Sequence, residues 1–177
     1  MAGKTLLISC CAPCVCAVIE KMAAEKKDFA VLFYNPNIVP EEEHDKRRFE
    51  NQRLCDHFSI RFFALEYDRA SWIEATEGLD KTGERNGRCE ACFALRFRKA
   101  AVFAKENGFD TVTSVFGVSR HKDFDQVARI GKKICEEAGL AYDSTNWRKN
   151  GLEQRRHVLI KELRLYEQTY CGCKPEV

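Results

Sequence analysis

Cysteine is the residue type whose number and spacing promise chemistry in this chain. Ten occur in 177 residues, at positions 10, 11, 14, 16, 55, 89, 92, 135, 171 and 173. Seven fall into three groups: Cys10-Cys11-Ala12-Pro13-Cys14, Cys89-Glu90-Ala91-Cys92 and Cys171-Gly172-Cys173. Thiolates are nucleophiles, soft metal ligands and two-electron redox couples, so three such groups point to a metal or redox site. Cys55 and Cys135 lie within helical apolar patterns and read as small core hydrophobes, and Cys16 leans the same way.

Spacing alone leaves the kind of site open. Two CxxC pairs could make a four-thiolate zinc site, but Cys14 and Cys89 are far apart for a compact knuckle, and Cys10, Cys171 and Cys173 would have no task. Cys11-Ala12-Pro13-Cys14 resembles a thioredoxin-type dithiol, which explains one group only. An iron–sulfur cluster takes four thiolates gathered in space, although the order matches neither ferredoxin spacing. Three functions therefore stand at this point: an iron–sulfur oxidoreductase, a non-catalytic zinc-binding RNA-interacting module, and a thiol–disulfide oxidoreductase.

These residues need elements to hold them. Thr5–Ser9 and Ala30–Tyr34 are short apolar runs that read as buried strands, followed by Phe62–Leu65 and Thr111–Phe116. Val15, Val18, Ile19, Met22 and Ala23 share one helical face after Pro13. Pro40 and three glutamates open a second helix, with carboxylates at its positive end. Further helical patterns cover residues 90–106 and 124–138, and a last one runs from Leu152 to Gln168. Residues 68–88, with glycines at 78, 83 and 87, read as a loop or lid. Alternating strands and helices predict an α/β fold, a mostly parallel sheet flanked by helices, within one domain spanning 1–177. The first cysteine group then lies where strand one hands over to helix one, in the crevice where open α/β sheets bind ligands. Ser9 to Cys16 contains no glycine, so a phosphate cradle is missing and neither ATP nor NAD is expected at this turn.

Charge divides unevenly. Residues 1–84 carry 11 basic and 15 acidic side chains, whereas residues 85–174 carry 18 and 11. A basic half suits a polyanion. No apolar leader and no membrane-length stretch is visible, so a reducing cytoplasm without membrane contact is expected.

Five motifs, in order, resemble those of the QueH-type epoxyqueuosine reductases: Ser9-Cys10-Cys11-Ala12-Pro13-Cys14, Tyr34-Asn35-Pro36-Asn37-Ile38, Cys89-x2-Cys92, Trp147-Arg148-Lys149 and Tyr170-Cys171-Gly172-Cys173. The resemblance spans Leu6 to Cys173. It implies a fold similar to that of the adenine-nucleotide alpha hydrolases (Rossmann-like), with cysteines in place of the phosphate loop. It also implies a cytoplasmic, cobalamin-independent oxidoreductase of tRNA processing. The reaction would be the last step of queuosine biosynthesis, reduction of an epoxide to the cyclopentene at the wobble base of tRNAs for Asn, Asp, His and Tyr. A [4Fe-4S] cluster would sit on Cys10, Cys11, Cys89 and Cys92. Cys171 and Cys173 would be the catalytic redox pair, with Cys14 lining the same pocket and an external electron donor required.

Two points stay open in the residues themselves. Adjacent strand residues face opposite ways, so Cys10 and Cys11 share a cluster only if the backbone turns between them; otherwise Cys14 replaces one. Cys171 and Cys173 could close a disulfide or hold a second, mononuclear iron that polarises the epoxide oxygen. Arg148, Lys149, Arg155 and Arg156 are the candidates for RNA phosphate contact, with Arg96, Arg98 and Arg120 behind them. Trp147 and Tyr34 are candidates for base stacking.

Overall fold

A computed structural model describes residues 3–79 and 86–173. Five strands form one sheet: β1 (Thr5–Ser9), β2 (Phe29–Phe33), β3 (Arg61–Ala64), β4 (Thr111–Ser114) and β5 (Ala141–Tyr142). Their order is β3-β2-β1-β4-β5 and every pairing is parallel. Six helices complete the described residues: α1 (Ala12–Ala24), α2 (Glu41–His57), α3 (Arg69–Thr76), α4 (Gly87–Glu106), α5 (Phe124–Glu137) and α6 (Leu152–Glu162).

The central strands are covered on both faces, which is why Leu6, Leu7, Ile8, Val31 and Leu32 are fully buried and no polar alternation is seen. Helix α1 packs on α2 and α6, and α4 packs on α5. Being wedged between sheet and α6, α1 buries Cys16 and Ala17 as well as the expected Val15, Val18, Ile19 and Met22. Cys55 and Cys135 are core residues as expected, each fully buried, and burial pushes both thiols up to about 12.

Chain order places the site. From β1 the chain moves outward through β2 and β3, then returns to lay β4 on the opposite side of β1. The reversal opens a crevice at the carboxyl ends of β1 and β4. Cys10 and Cys11 stand there, directly after β1.

Three expectations need correction, and a fifth strand was not expected. The 68–88 stretch is not simply a loop: Asp68 caps α3 by accepting from Ser71 N, and α4 begins at Gly87, with residues 80–85 outside those described. The last helix stops at Glu162, six residues before Gln168, because Arg164 takes a left-handed backbone (φ 48°) that ends the ladder. Strand β4 ends at Ser114, where Phe116–Val118 turns into a short 3-10 helix. Strand β5 is two residues long, too short for any periodic signal.

Helix α2 has an unusual buried face. His44, Arg47, Asn51, Leu54 and Cys55 line it at helical spacing, and three of the five are polar. His44 lies between the rings of Phe33 and Tyr67, with centroids at 5.2 and 4.4 Å. Burial holds its imidazole below the ordinary value, against a pull upward from Asp45. The native state therefore takes up this proton less readily than the unfolded chain. Stability from this group is full above about pH 6.5 and is lost as the pH falls toward the depressed native value. Urea unfolding at pH 7.5 and 5.5 should show that loss, and His44→Gln should flatten it; an unchanged slope in the variant would assign the loss to other groups.

Candidate active site

The backbone bends at Cys10, immediately after the strand, so two neighbouring thiols converge rather than diverge. Their sulfurs are 3.8 Å apart. Cys11 is the residue before α1, in extended conformation (φ −164°, ψ 153°), and Cys14 sits in the helix's first turn. Cys10, Cys11 and Cys14 bring their sulfurs within 4.8 Å of one another, a group that could hold a metal ion. Hydrogen bonding from Cys11 and Cys14 draws the Cys10 thiol well below its ordinary range, and Lys122 and Arg96 assist against burial. Interaction with Cys10 pushes Cys11 up to about 12 and raises Cys14 as well.

Cys89 and Cys92 come from the first turns of α4, whose cap is Asn86, accepting from Cys89 N at 3.1 Å. Burial raises the Cys92 thiol, opposed by Arg96 and by the Trp72 indole. The amino ends of α1, α4 and α5 all face this region, and helix amino ends favour thiolates.

The third group reaches the site on an irregular segment, and polar side chains of α2 anchor it. Arg47, only 2 % exposed, donates from its guanidinium to Cys171 O at 2.9 Å and Tyr170 O at 3.1 Å. Glu43 holds the same guanidinium from its Nε at 2.7 Å. Val39 N donates to Gly172 O at 2.9 Å, and Tyr170 donates its hydroxyl proton to Val39 O at 2.6 Å. Gly172 has φ +130°, and a Cβ there would meet Ile38 at 2.8 Å. Any larger residue is excluded twice, by conformation and by space. A hydrogen bond from Cys173 holds the Cys171 thiol well below its ordinary range, and Cys173 is raised in turn. Arg88 also donates to Cys173 Sγ at 3.5 Å.

The three cysteine groups therefore border one region. A cleft of about 630 Å³ is lined by Cys10, Cys14, Cys89, Cys171 and Cys173, with Arg47, Lys122 and Arg156 among its basic residues. A narrower slot beside it is walled by Cys89, Cys92, Cys171 and Cys173. Lys122 borders both spaces; burial would depress its ammonium, but the Cys171 and Cys10 thiolates outweigh that and raise it.

The basic candidates divide. Arg156 lines the cleft, paired with Glu153 at 2.9 Å, and Lys149 is exposed. Arg155 is paired across helices with Glu20 at 2.6 Å. Arg148 turns inward onto the carbonyls of Val118, Ser119 and Lys122, holding the cleft-lining loop. Arg96 is buried under Phe116 and bonded to Tyr34 O and Asn35. Trp147 and Tyr34 are core residues, with exposures of 4 % and 1 %, so neither offers a stacking face. Trp147 instead donates to Thr113 Oγ1 at 3.3 Å. Arg47, Arg88, Lys122 and Trp72 were not singled out from the sequence. Only Arg47 left a signal there, as one of several polar residues repeating at helical spacing along α2.

A protein-family model described as epoxyqueuosine reductase QueH matches residues 5–175. The chain belongs to the epoxyqueuosine reductase QueH family. An epoxyqueuosine reductase QueH of Histophilus somni is 44 % identical over 172 residues, 97 % of this chain and 71 % of that protein. That of Haemophilus influenzae is 43 % identical, covering 97 % and 70 %. That of Thermotoga maritima is 33 % identical, covering 97 % and 88 %. In this QueH chain no described helix is long and apolar enough to cross a membrane.

Proposed function

We propose that this chain, as one domain, reduces epoxyqueuosine to queuosine in tRNA, with the seven converging cysteines as its redox centre. The observation that carries the reading is their convergence, from three distant stretches of sequence, at the strand ends of a QueH-family fold. Ten free thiols suit a reducing cytoplasm.

The donor set fits an iron–sulfur cluster: soft thiols, helix amino ends and two cations around one space. Cys10, Cys11, Cys89 and Cys92 would hold a [4Fe-4S] group, which supplies electrons singly when bound. The bend at Cys10 supports that assignment by removing the objection to adjacent ligands. Cys14, within reach of the same sulfurs, lines the pocket.

Opening an epoxide to an alkene takes two electrons and two protons, and releases the oxygen as water. The Cys171–Cys173 pair holds both electrons: with Cys171 as thiolate and Cys173 as thiol, closing to a disulfide releases two electrons and one proton, and water in the cleft supplies the second proton. An external donor then reopens the disulfide. Cys171, held as the thiolate, is the nucleophilic member of the pair. Lys122 supplies positive charge toward an oxygen leaving into the cleft. The cleft's rim, with Arg120, His121, Arg156 and His157, suits a polyanion such as an anticodon loop with its base splayed out, and the exposed Lys149 is a further phosphate contact.

An anaerobic visible spectrum with iron, sulfide and zinc assays on the same sample tests the reading. A brown protein with about four irons and four sulfides per chain is expected, with reduction of epoxyqueuosine tRNA. Iron beyond four would place a mononuclear metal at Cys171 and Cys173. Colourless protein with stoichiometric zinc after reconstitution would replace the reductase with a zinc module.

A further inference from the structure

Two arginines, Arg47 and Arg96, are buried as deeply as the apolar core, at 2 % and 1 % exposure. Arg47 is paired with Glu43 at 2.7 Å. Arg96, on α4, meets no carboxylate among the described residues. Its guanidinium donates to Tyr34 O at 3.3 Å and to Asn35 Oδ1, and lies 3.7 Å from the centroid of the Phe116 ring. A buried charge is costly unless a counter-charge stands nearby. Carbonyl dipoles and a ring face stabilise a cation in part but neutralise none of it. A second cation sharpens the imbalance: Lys122 Nζ lies 5.6 Å from the same Phe116 ring, and no described carboxylate pairs with it. The acid lining the same slot, Asp123, is turned to the amino end of α5, where it accepts from Asp125 N and Gln126 N. What the two cations border is sulfur. Both wall the slot that Cys89, Cys92, Cys171 and Cys173 also wall. Hydrogen bonding lowers the Cys10 and Cys171 thiols, and Arg96 pulls both the same way; at Cys92 it opposes burial.

We propose that Arg96 is the fixed counter-charge of the cysteine centre and sets its reduction potential. The inference rests on the reductase reading, which puts an iron–sulfur group on Cys10, Cys11, Cys89 and Cys92. An added electron makes such a centre more negative, so a buried cation favours the reduced form and raises the potential. Salt does not screen a charge held this far from water. Lys122 lines the open cleft and faces substrate there. Arg96 is not among the residues lining that cleft, so it is a positioning residue in the electrostatic sense, acting only through the centre.

A dye-mediated redox titration of the anaerobically reconstituted protein, read by the electron paramagnetic resonance of the reduced cluster, separates this role from a structural one. Arg96→Gln keeps a donor for Tyr34 O and removes the charge. Its reduction equilibrium should become about tenfold less favourable, a fall of about 59 mV for one electron. Arg96→Lys loses the guanidinium fork but keeps the charge, and its equilibrium should stay within about threefold of the wild type. A structural role predicts like shifts in both, since both lose the fork. Equal shifts therefore overturn the proposal, as does an unchanged potential in Arg96→Gln. Asn35→Asp leaves Arg96 in place and gives it a carboxylate partner, at the expense of the bond that Asn35 Nδ2 donates to Ser9 O at 2.9 Å. The potential should fall in this variant too; it decides alone if Arg96→Gln does not fold, and no fall there overturns the proposal. Wild-type protein without a reducible cluster would instead sink the reductase reading, and this role with it.

Discussion

Cys171→Ser and Cys173→Ser are each expected to lose turnover by a factor on the order of 10³ or more while keeping wild-type iron content and colour. Closing a disulfide takes two sulfurs, and a serine hydroxyl neither forms that bond nor gives up the electrons. The proposed cluster ligands stay untouched, so absorbance and iron should not change. Cys89→Ser is the contrasting variant and should lose iron. Normal turnover in both variants of the pair would remove it from the mechanism. Iron lost from Cys171→Ser would assign the pair to metal binding. Gly172, at φ +130° and against Ile38, keeps the two thiols on one tight turn.

Arg47→Met is expected to destabilise the protein by about 3 kcal/mol and to lower kcat more than it raises KM. The guanidinium neutralises Glu43, whose side chain is 11 % exposed, and satisfies the carbonyls of Tyr170 and Cys171. Removing it leaves a largely buried carboxylate without its counter-charge, held only by the Tyr166 hydroxyl at 2.9 Å, and releases the segment that carries the dithiol. For a chain of this size the midpoint should fall by about 6–12 °C. Arg47→Lys keeps the charge but not the fork that reaches both carbonyls, so it should recover stability better than turnover. A stable Arg47→Met enzyme with normal kcat would show that the segment carrying Cys171 and Cys173 holds itself in place.

Helix α2 shows why part of this was legible and part was not. Its amino end could be read from Pro40 and three glutamates, because capping and dipole chemistry are local. Its buried face could not, because a row of His44, Arg47 and Asn51 looks like a solvated surface until its partners are known. Those partners are Ser9, 42 residues from Asn51, and Cys171, 124 residues from Arg47. Arg148 errs the other way. It reads as a phosphate contact in a basic stretch, yet three backbone carbonyls claim its guanidinium.

By itself the sequence determined the parallel α/β class, the strand-to-helix position of the first cysteine group and the family, because apolar runs, cysteine spacing and ordered motifs are carried along the chain. Core roles for Cys55 and Cys135 were readable for the same reason. Tertiary structure alone decided that Cys10 and Cys11 converge, since that depends on a bend at the strand end. It alone drew Cys14 into one group with Cys10 and Cys11 and turned Trp147 and Tyr34 into the core. The physical reason is range. Periodicity and capping act over a few residues, whereas metal geometry, burial and hydrogen-bond satisfaction are properties of atoms brought together from opposite ends of the chain.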